Sequence, residues 1–428
     1  MEQTQHHWSI IGSVLLGLLS CAASAVEIKQ VVAPLFEDSH DIQLIDCRDS
    51  NYYNGWQDKQ ETVSGHVQGA INYSVAWLDK DGGLDELKTI VSRFNKSSPT
   101  YLYCPNDDAQ LMAHKFVTWG FTDVRVAKAL HPQQALQAYE HYDKLVPSWW
   151  LQDLLAGKDV ENPPTKDYQV VEVAWGMPKQ YLLAHIPGAI YLDTNEIEAE
   201  PLWNLHPFKK LKETAKNHGF SKDATVILYG RDNMAAARAA AVLMYMGIDD
   251  VRLLNGGWSA WEGKETEALF NSPKPATVEL SEPTHPEYVT SIDRAKELLA
   301  DQQGSSLVSI RTWPEFIGHT SGYSYIEPKG RIKGAKWGQS GEDSHSLAAF
   351  RNIDGTMLAP EIVEDRWQRW GINRSQNVAF YCGTGWRASE VFFYTYVAGW
   401  KNISVFDGGW YEWSSDVNNP TEIGEPSS

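Results

Sequence analysis

Cysteine, glycine and arginine fall close together at one point of this chain, in Cys382-Gly383-Thr384-Gly385-Trp386-Arg387. Glycines let a backbone curl so that successive N–H groups converge, which makes an anion-binding nest. A cysteine in such a nest, at a helix N-terminus and near a guanidinium, is favoured as the nucleophilic thiolate. The same cradle would hold a persulfide on the sulfur, or an oxyanion bound in front of it. A buried structural cysteine before an ordinary turn is the competing interpretation. A core cysteine, however, has no need of Gly-x-Gly-x-Arg behind it.

Elements on either side must position this loop. The short apolar run Val378-Ala379-Phe380-Tyr381 predicts a buried parallel strand that ends at Cys382. A helix-compatible segment runs from Ala388 towards Val397 and stops near Gly399, where a glycine is the expected terminator. A second strand, Ile403–Phe406, leads into the sharp Asp407-Gly408-Gly409-Trp410. The order is strand, cysteine, glycine-bearing loop, helix, strand.

This stretch resembles the active loop and closing segment of the rhodanese superfamily, the thiosulfate and 3-mercaptopyruvate sulfurtransferases. The matching residues are Cys382, Gly383, Thr384, Gly385 and Arg387, then Asp407-Gly408-Gly409-Trp410 with Trp413. Four residues separate Cys382 from Arg387, similar to the compact loop of sulfurtransferases. The related phosphatases and arsenate reductases carry one more, which makes room for a tetrahedral oxyanion. The resemblance therefore implies sulfur transfer ahead of phosphatase or arsenate reductase chemistry.

With that template, three copies of one unit are visible. The third has Leu307-Val308-Ser309-Ile310-Arg311, Glu315-Phe316 and Gly330-Arg331-Ile332-Lys333-Gly334-Ala335 ahead of the cysteine loop. Ser309 and Arg331 stand where the family pattern has Asp and His. The first has Leu44-Ile45-Asp46-Cys47-Arg48 and Gly65-His66-Val67-Gln68-Gly69-Ala70, then Thr100–Tyr103 before Cys104. Its loop, Pro105-Asn106-Asp107-Asp108-Ala109, is a poor thiolate nest: proline lacks an N–H and two carboxylates oppose a negative sulfur. The second has Ala184-His185-Ile186-Pro187-Gly188-Ala189 and Asn255-Gly256-Gly257-Trp258, but Gly230 takes the cysteine's place. The expected fold class is α/β, three rhodanese-like domains, each a parallel sheet flanked by helices. The expected bounds are 28–146 and 149–265 for two inactive domains, 266–286 for an extended Pro-bearing linker, 287–416 for the catalytic domain and 417–428 for a disordered tail.

The chain is 428 residues long, enough for two to three domains, with a formal charge of −18. That charge argues against nucleic acid or an anionic membrane surface as partner, so an anionic substrate must be captured by local basic groups. Residues 1–25 read as a secretory signal built on the apolar run Trp8–Ser20. Cleavage after Ala25 would release a soluble periplasmic form; alternatively Leu18-Leu19-Ser20-Cys21 resembles a bacterial lipobox, which would lipidate Cys21 and give the protein a lipid tether to the membrane. Both outcomes export the protein. The four cysteines, at 21, 47, 104 and 382, are too few for a disulfide scaffold, and no Cys/His cluster has zinc spacing, so no metal or other cofactor is implied.

The resemblance implies a double displacement in which Cys382 takes sulfane sulfur from a small sulfur-containing anion and passes it to a thiol or cyanide. Substrate contacts are expected from Gly383, Thr384 and Gly385 through the loop, from Arg387, from Trp386 at the mouth, and from Arg331 and Lys333 on a sulfonate. Arg311 is expected to pair with Glu315. In the family's fold the strands before Cys47 and Cys104 are neighbours, which would bring the two within disulfide range; two separate thiols are the alternative. A persulfide carrier that docks to a protein partner is the alternative function.

Overall fold

The computed structural model describes residues 28–36, 43–57, 63–103, 109–264, 270–275 and 281–426. The signal segment, Cys21 and Cys104 lie outside the described residues. Three five-stranded sheets are present, all with parallel pairings and one common strand order, first-fifth-fourth-second-third along each unit. In the third unit the order in space is Val289–Thr290, Ile403–Phe406, Asn377–Tyr381, Ser305–Ser309 and Lys336–Trp337. The strand Asn377–Tyr381 is therefore central, with its neighbours paired on both edges. A central parallel strand is covered on both faces, which is why Val378-Ala379-Phe380-Tyr381 is apolar throughout. Its carboxyl end, where Cys382 follows, is where open α/β sheets place their ligands.

The second unit repeats the plan with Tyr168–Ala174 and Asp250–Leu254 flanking Thr225–Tyr229. Its helix Asn233–Met246 is buried on nearly every side. The cause is its position between its own sheet and the helix Trp386–Val397 of the third unit. Ala235, Ala236, Ala237, Ala239, Ala240 and Ala241 keep one helix thin while Val391, Phe392 and Phe393 fill the space from the other. The two helices that follow the two active-loop positions thus pack on each other, and one core cluster runs through both units.

The first unit docks on residues 351–361 of the third. Trp77 Nε1 donates to Asp354 Oδ2 at 2.6 Å, Ser50 Oγ to Thr356 at 3.1 Å, and Tyr139 to Glu361 at 2.9 Å. In its sheet Asp46 pairs with Tyr103, so the strand that runs into Cys47 lies beside Thr100–Tyr103. Cys47 is disulfide-bonded, and its partner lies outside the described residues.

Two segments differ from the sequence expectation. The linker is not a free spacer where it is described: the Asn271 side chain donates to the Ala189 carbonyl and meets His185, while its backbone N–H donates to Tyr181. The tail is ordered as far as residue 426. Thr421–Glu422 forms an antiparallel pair with Arg331–Ile332, and Trp413 donates to the Pro420 carbonyl. The polar composition of 417–428 conceals this because the tail is held by backbone pairing and one buried arginine, not by apolar burial. Ending the chain after Asp416 should lower its unfolding midpoint, by about 1–3 kcal/mol of stability, because Arg331 and an edge strand lose their partners. Denaturant titration of the truncated and full chains measures this; equal midpoints would restore the disordered tail.

Candidate active site

Cys382 is the free cysteine among the described residues and is 1% exposed. The loop folds round its sulfur: the Gly385 N–H donates to Sγ at 3.2 Å. Gly385 itself has φ of 110°, a left-handed conformation that glycine adopts without strain, and from it the helix Trp386–Val397 begins. Gly383 is needed for a different reason. A Cβ there would lie 2.3 Å from the Tyr323 ring, so the ring can cover the loop only because no side chain stands in its way. The closing turn clamps the same loop from behind, with Trp410 N–H donating to the Cys382 carbonyl at 2.8 Å and Tyr411 N–H to that of Gly383 at 3.1 Å.

Arg387 lies one residue into the helix and is buried. Its two terminal nitrogens form a bidentate pair with Glu315, both contacts at 2.9 Å, and also donate to Ser340 and to the Tyr323 hydroxyl, each at 3.0 Å. Its Nε, also buried, has no protein partner. Glu315 is held by Arg311 Nε at 3.3 Å and by the Thr312 N–H, in a capping box that opens the turn Trp313–Phe316. Arg311 thus takes the Glu315 partnership expected for it. Burial alone would raise the Glu315 carboxyl, but Arg387 and then Arg311 hold it down at about 2. Two guanidinium groups against one carboxylate leave this cluster one positive charge behind the cysteine loop.

Trp386, half-buried, donates from Nε1 to Glu198 of the second unit at 2.6 Å. Thr384 faces Tyr325, whose hydroxyl burial pushes up to about 12. Tyr323 is raised further by burial, so both phenols stay protonated near neutral pH. These groups line a cavity of about 680 Å³ shared between the second and third units. The structure therefore brings Cys382, Gly383, Thr384, Gly385, Trp386 and Arg387 together. It takes Arg331 elsewhere: that guanidinium donates to the Gly424 carbonyl at 2.5 Å, pairs with Glu422 at 3.2 Å and lies over the Phe316 ring. Lys333 is exposed beside it, its N–H on the Pro420 carbonyl, and neither residue lines the cavity. The tail, not a sulfonate, occupies Arg331.

Tyr323 and Tyr325 were not singled out from the sequence. Their i, i+2 spacing in Tyr323-Ser324-Tyr325 was the available signal, since an extended segment turns such residues to one side. The walls given by Glu198, Trp203 and Asp232 belong to another unit and carry no local motif.

Because the folded Glu315 value lies below the ordinary 4.5, its stabilisation is present above pH 4.5 and is lost as pH falls towards 2. The depression amounts to about 3 kcal/mol. Glu315→Gln should therefore be less stable than the parent by roughly that amount at pH 7, with the gap closing between pH 4.5 and 2. Chemical denaturation across this range tests it; a gap that does not depend on pH would contradict the assignment.

Comparison with known proteins agrees with this architecture. The rhodanese-like domain family matches residues 29–129, 152–264 and 291–416. Thiosulfate sulfurtransferase YnjE of Escherichia coli is 44% identical over 420 residues, covering 96% of this chain and 96% of that protein. The crystal structure of YnjE superposes with a TM-score of 0.88 at 43% identity, over 95% of this chain and 99% of that one. An anaerobic ergothioneine biosynthesis enzyme from Chlorobium limicola, solved in complex with its natural substrate trimethyl histidine, has a TM-score of 0.84 at 33% identity, over 91% and 97% of the two chains. The strand order, the cysteine loop and these matches agree on one conclusion: the chain belongs to the rhodanese superfamily, with three rhodanese-like domains of which the third carries the cysteine loop.

Proposed function

We propose that the protein is a thiosulfate sulfurtransferase that works by double displacement on Cys382. The observation that carries this reading is the free Cys382 sulfur, enclosed by a loop whose N–H at Gly385 points at it and backed by the Arg387–Glu315–Arg311 cluster. In the first step the Cys382 thiolate attacks the outer sulfur of thiosulfate. The sulfur–sulfur bond of the donor breaks, and sulfite leaves with the electron pair. Arg387 and the Tyr323 hydroxyl stand where they would steady the charge on the departing group. Cys382 then bears a persulfide whose terminal charge is held by the loop N–H groups. In the second step a thiolate or cyanide attacks that terminal sulfur, the bond to Cys382 Sγ breaks, and the cysteine leaves as thiolate.

The first and second units have no equivalent role. Gly230 offers no nucleophile in the second, Pro105, Asp107 and Asp108 follow the loop cysteine Cys104 of the first, and Cys47 of the first is tied up in a disulfide. An oxidising compartment accommodates such a bond. Together with the apolar run Trp8–Ser20 it supports an exported, periplasmic protein, with Cys21 as the residue that a lipid tether would use.

Cyanide-dependent thiocyanate formation tests the reading, with thiosulfate and 3-mercaptopyruvate compared as donors. Cys382→Ser should lower turnover by at least about a thousandfold, with Cys47→Ser retaining it. Activity that survives Cys382→Ser would sink the mechanism, and a preference for 3-mercaptopyruvate would reassign the donor.

A further inference from the structure

The cavity lined by Thr384, Trp386 and Arg387, beside Cys382 in sequence, has a composition that a small-anion site does not require. Its rim carries large aromatic rings facing solvent: Trp175 is 59% exposed and Tyr325 47%. Trp175 stands edge-on to Trp203 with centroids 6.2 Å apart, and Tyr325 edge-on to Tyr411 at 5.8 Å. Trp203 is held at φ of 59°, a left-handed conformation unfavourable for so bulky a residue. Strain of that kind persists where the surroundings impose it and clusters at binding sites. An exposed ring is a cost unless something covers it, and these rings surround one opening.

The charges on the lining point the same way. Three carboxylates, Glu198, Glu200 and Asp232, all come from the second unit, and the lining has one guanidinium, Arg387, already paired with Glu315. Glu198 is paired with Arg238, but that arginine also serves Asp407, so Glu198, Arg238 and Asp407 together keep one negative charge. Asp232 caps the helix Asn233–Met246 by accepting from the Met234 N–H, which leaves its other oxygen uncommitted in that contact. The cavity is thus divided. Its positive side lies with Arg387 and the loop of the third unit, and its negative side, with Trp175 and Trp203, lies with the second unit.

Resting on the reading of Cys382 as the sulfur carrier, we infer that the second unit forms an acceptor subsite for an organic cation, a thiol that bears an amine or ammonium group. Aromatic faces and carboxylates together are the groups that bind such cations. The small dianionic donor and the larger cationic acceptor would then use opposite walls of one cavity. Transfer balances as follows: the acceptor thiolate attacks the terminal sulfur, the bond to Cys382 Sγ breaks, and the products are the acceptor persulfide and the Cys382 thiolate.

The full chain, loaded with sulfur on Cys382, is discharged with thiocholine, 2-mercaptoethanol or 3-mercaptopropionate, which are small cationic, neutral and anionic thiols on the same two-carbon spacer. Glutathione persulfide in the same buffer supplies the intrinsic reactivity of each thiol. After that correction thiocholine should exceed 2-mercaptoethanol at least tenfold, and 3-mercaptopropionate should be the slowest. Choline, which has no thiol, should compete with 2-mercaptoethanol on the unaltered protein. The double variant Glu200→Gln, Asp232→Asn should bring the corrected thiocholine preference down towards unity. Corrected rates that are equal for the three thiols, or fastest for the anion, overturn the subsite, as does a preference unaffected by choline. Failure of thiosulfate to load Cys382 instead defeats the donor reading; polysulfide then supplies the loaded protein and the acceptor comparison is read unchanged.

Discussion

The Arg238 guanidinium joins the two units that make the site. It donates to Glu198 at 2.9 Å and to Asp407 at 2.5 Å, and it is buried. Glu198 receives Trp386, the first residue of the active-loop helix. Asp407 opens the turn whose Trp410 and Tyr411 N–H groups hold the Cys382 and Gly383 carbonyls. A Cβ on Gly385 would come within 2.9 Å of Arg238 itself, so the arginine also abuts the loop. Both ends of the cysteine loop are therefore referred to one side chain of the neighbouring unit. Removing one partner from such a buried ionic group leaves an uncompensated charge, at a cost of about 3–5 kcal/mol, so the loop's geometry and the interface stand or fall together.

The same interface shows what became of the second unit's own loop. Arg238 and Glu390 occupy equivalent places on the two packed helices, each eight residues beyond the cysteine position, yet they carry opposite charge. Glu390 pairs with Arg351 at 2.6 Å, as Arg238 pairs with Glu198. Asn255 accepts from the Met357 N–H where Asp407 accepts from that of Leu205. The two units meet through residues at equivalent positions with exchanged charges. Of these two units only the third carries a loop cysteine, and the unit with Gly230 in that place contributes Glu198, Trp203 and Asp232 to the wall of the cavity.

Much of this was legible in the sequence because the repeat has strong local signals. The strand before each loop, the Gly-Gly-Trp closings and the cysteine itself are set by backbone requirements that leave their mark on adjacent residues. Cys382 to Arg387 could be read as one cluster, and Arg311 as a partner of Glu315 four residues on. What stayed hidden depends on distant segments. Arg331 resembles a substrate ligand until the tail strand Thr421–Glu422 is seen to occupy it. The cavity's acidic side is contributed by Glu198, Glu200 and Asp232, 150 or more positions before the cysteine, without a motif. Tyr323 is placed by the absence of a side chain on Gly383, which a pattern of residues does not reveal.

The central claim is that Cys382 carries the sulfur covalently between donor and acceptor. Intact-mass spectrometry of the reduced-then-repurified protein after incubation with thiosulfate, without an acceptor, addresses it most directly. The account predicts one added sulfur atom per chain, located on the Cys382 peptide, removed by cyanide and missing in Cys382→Ser. A chain that turns over thiosulfate and cyanide while never gaining that sulfur would contradict it, because both substrates would then react in one complex with no persulfide between them.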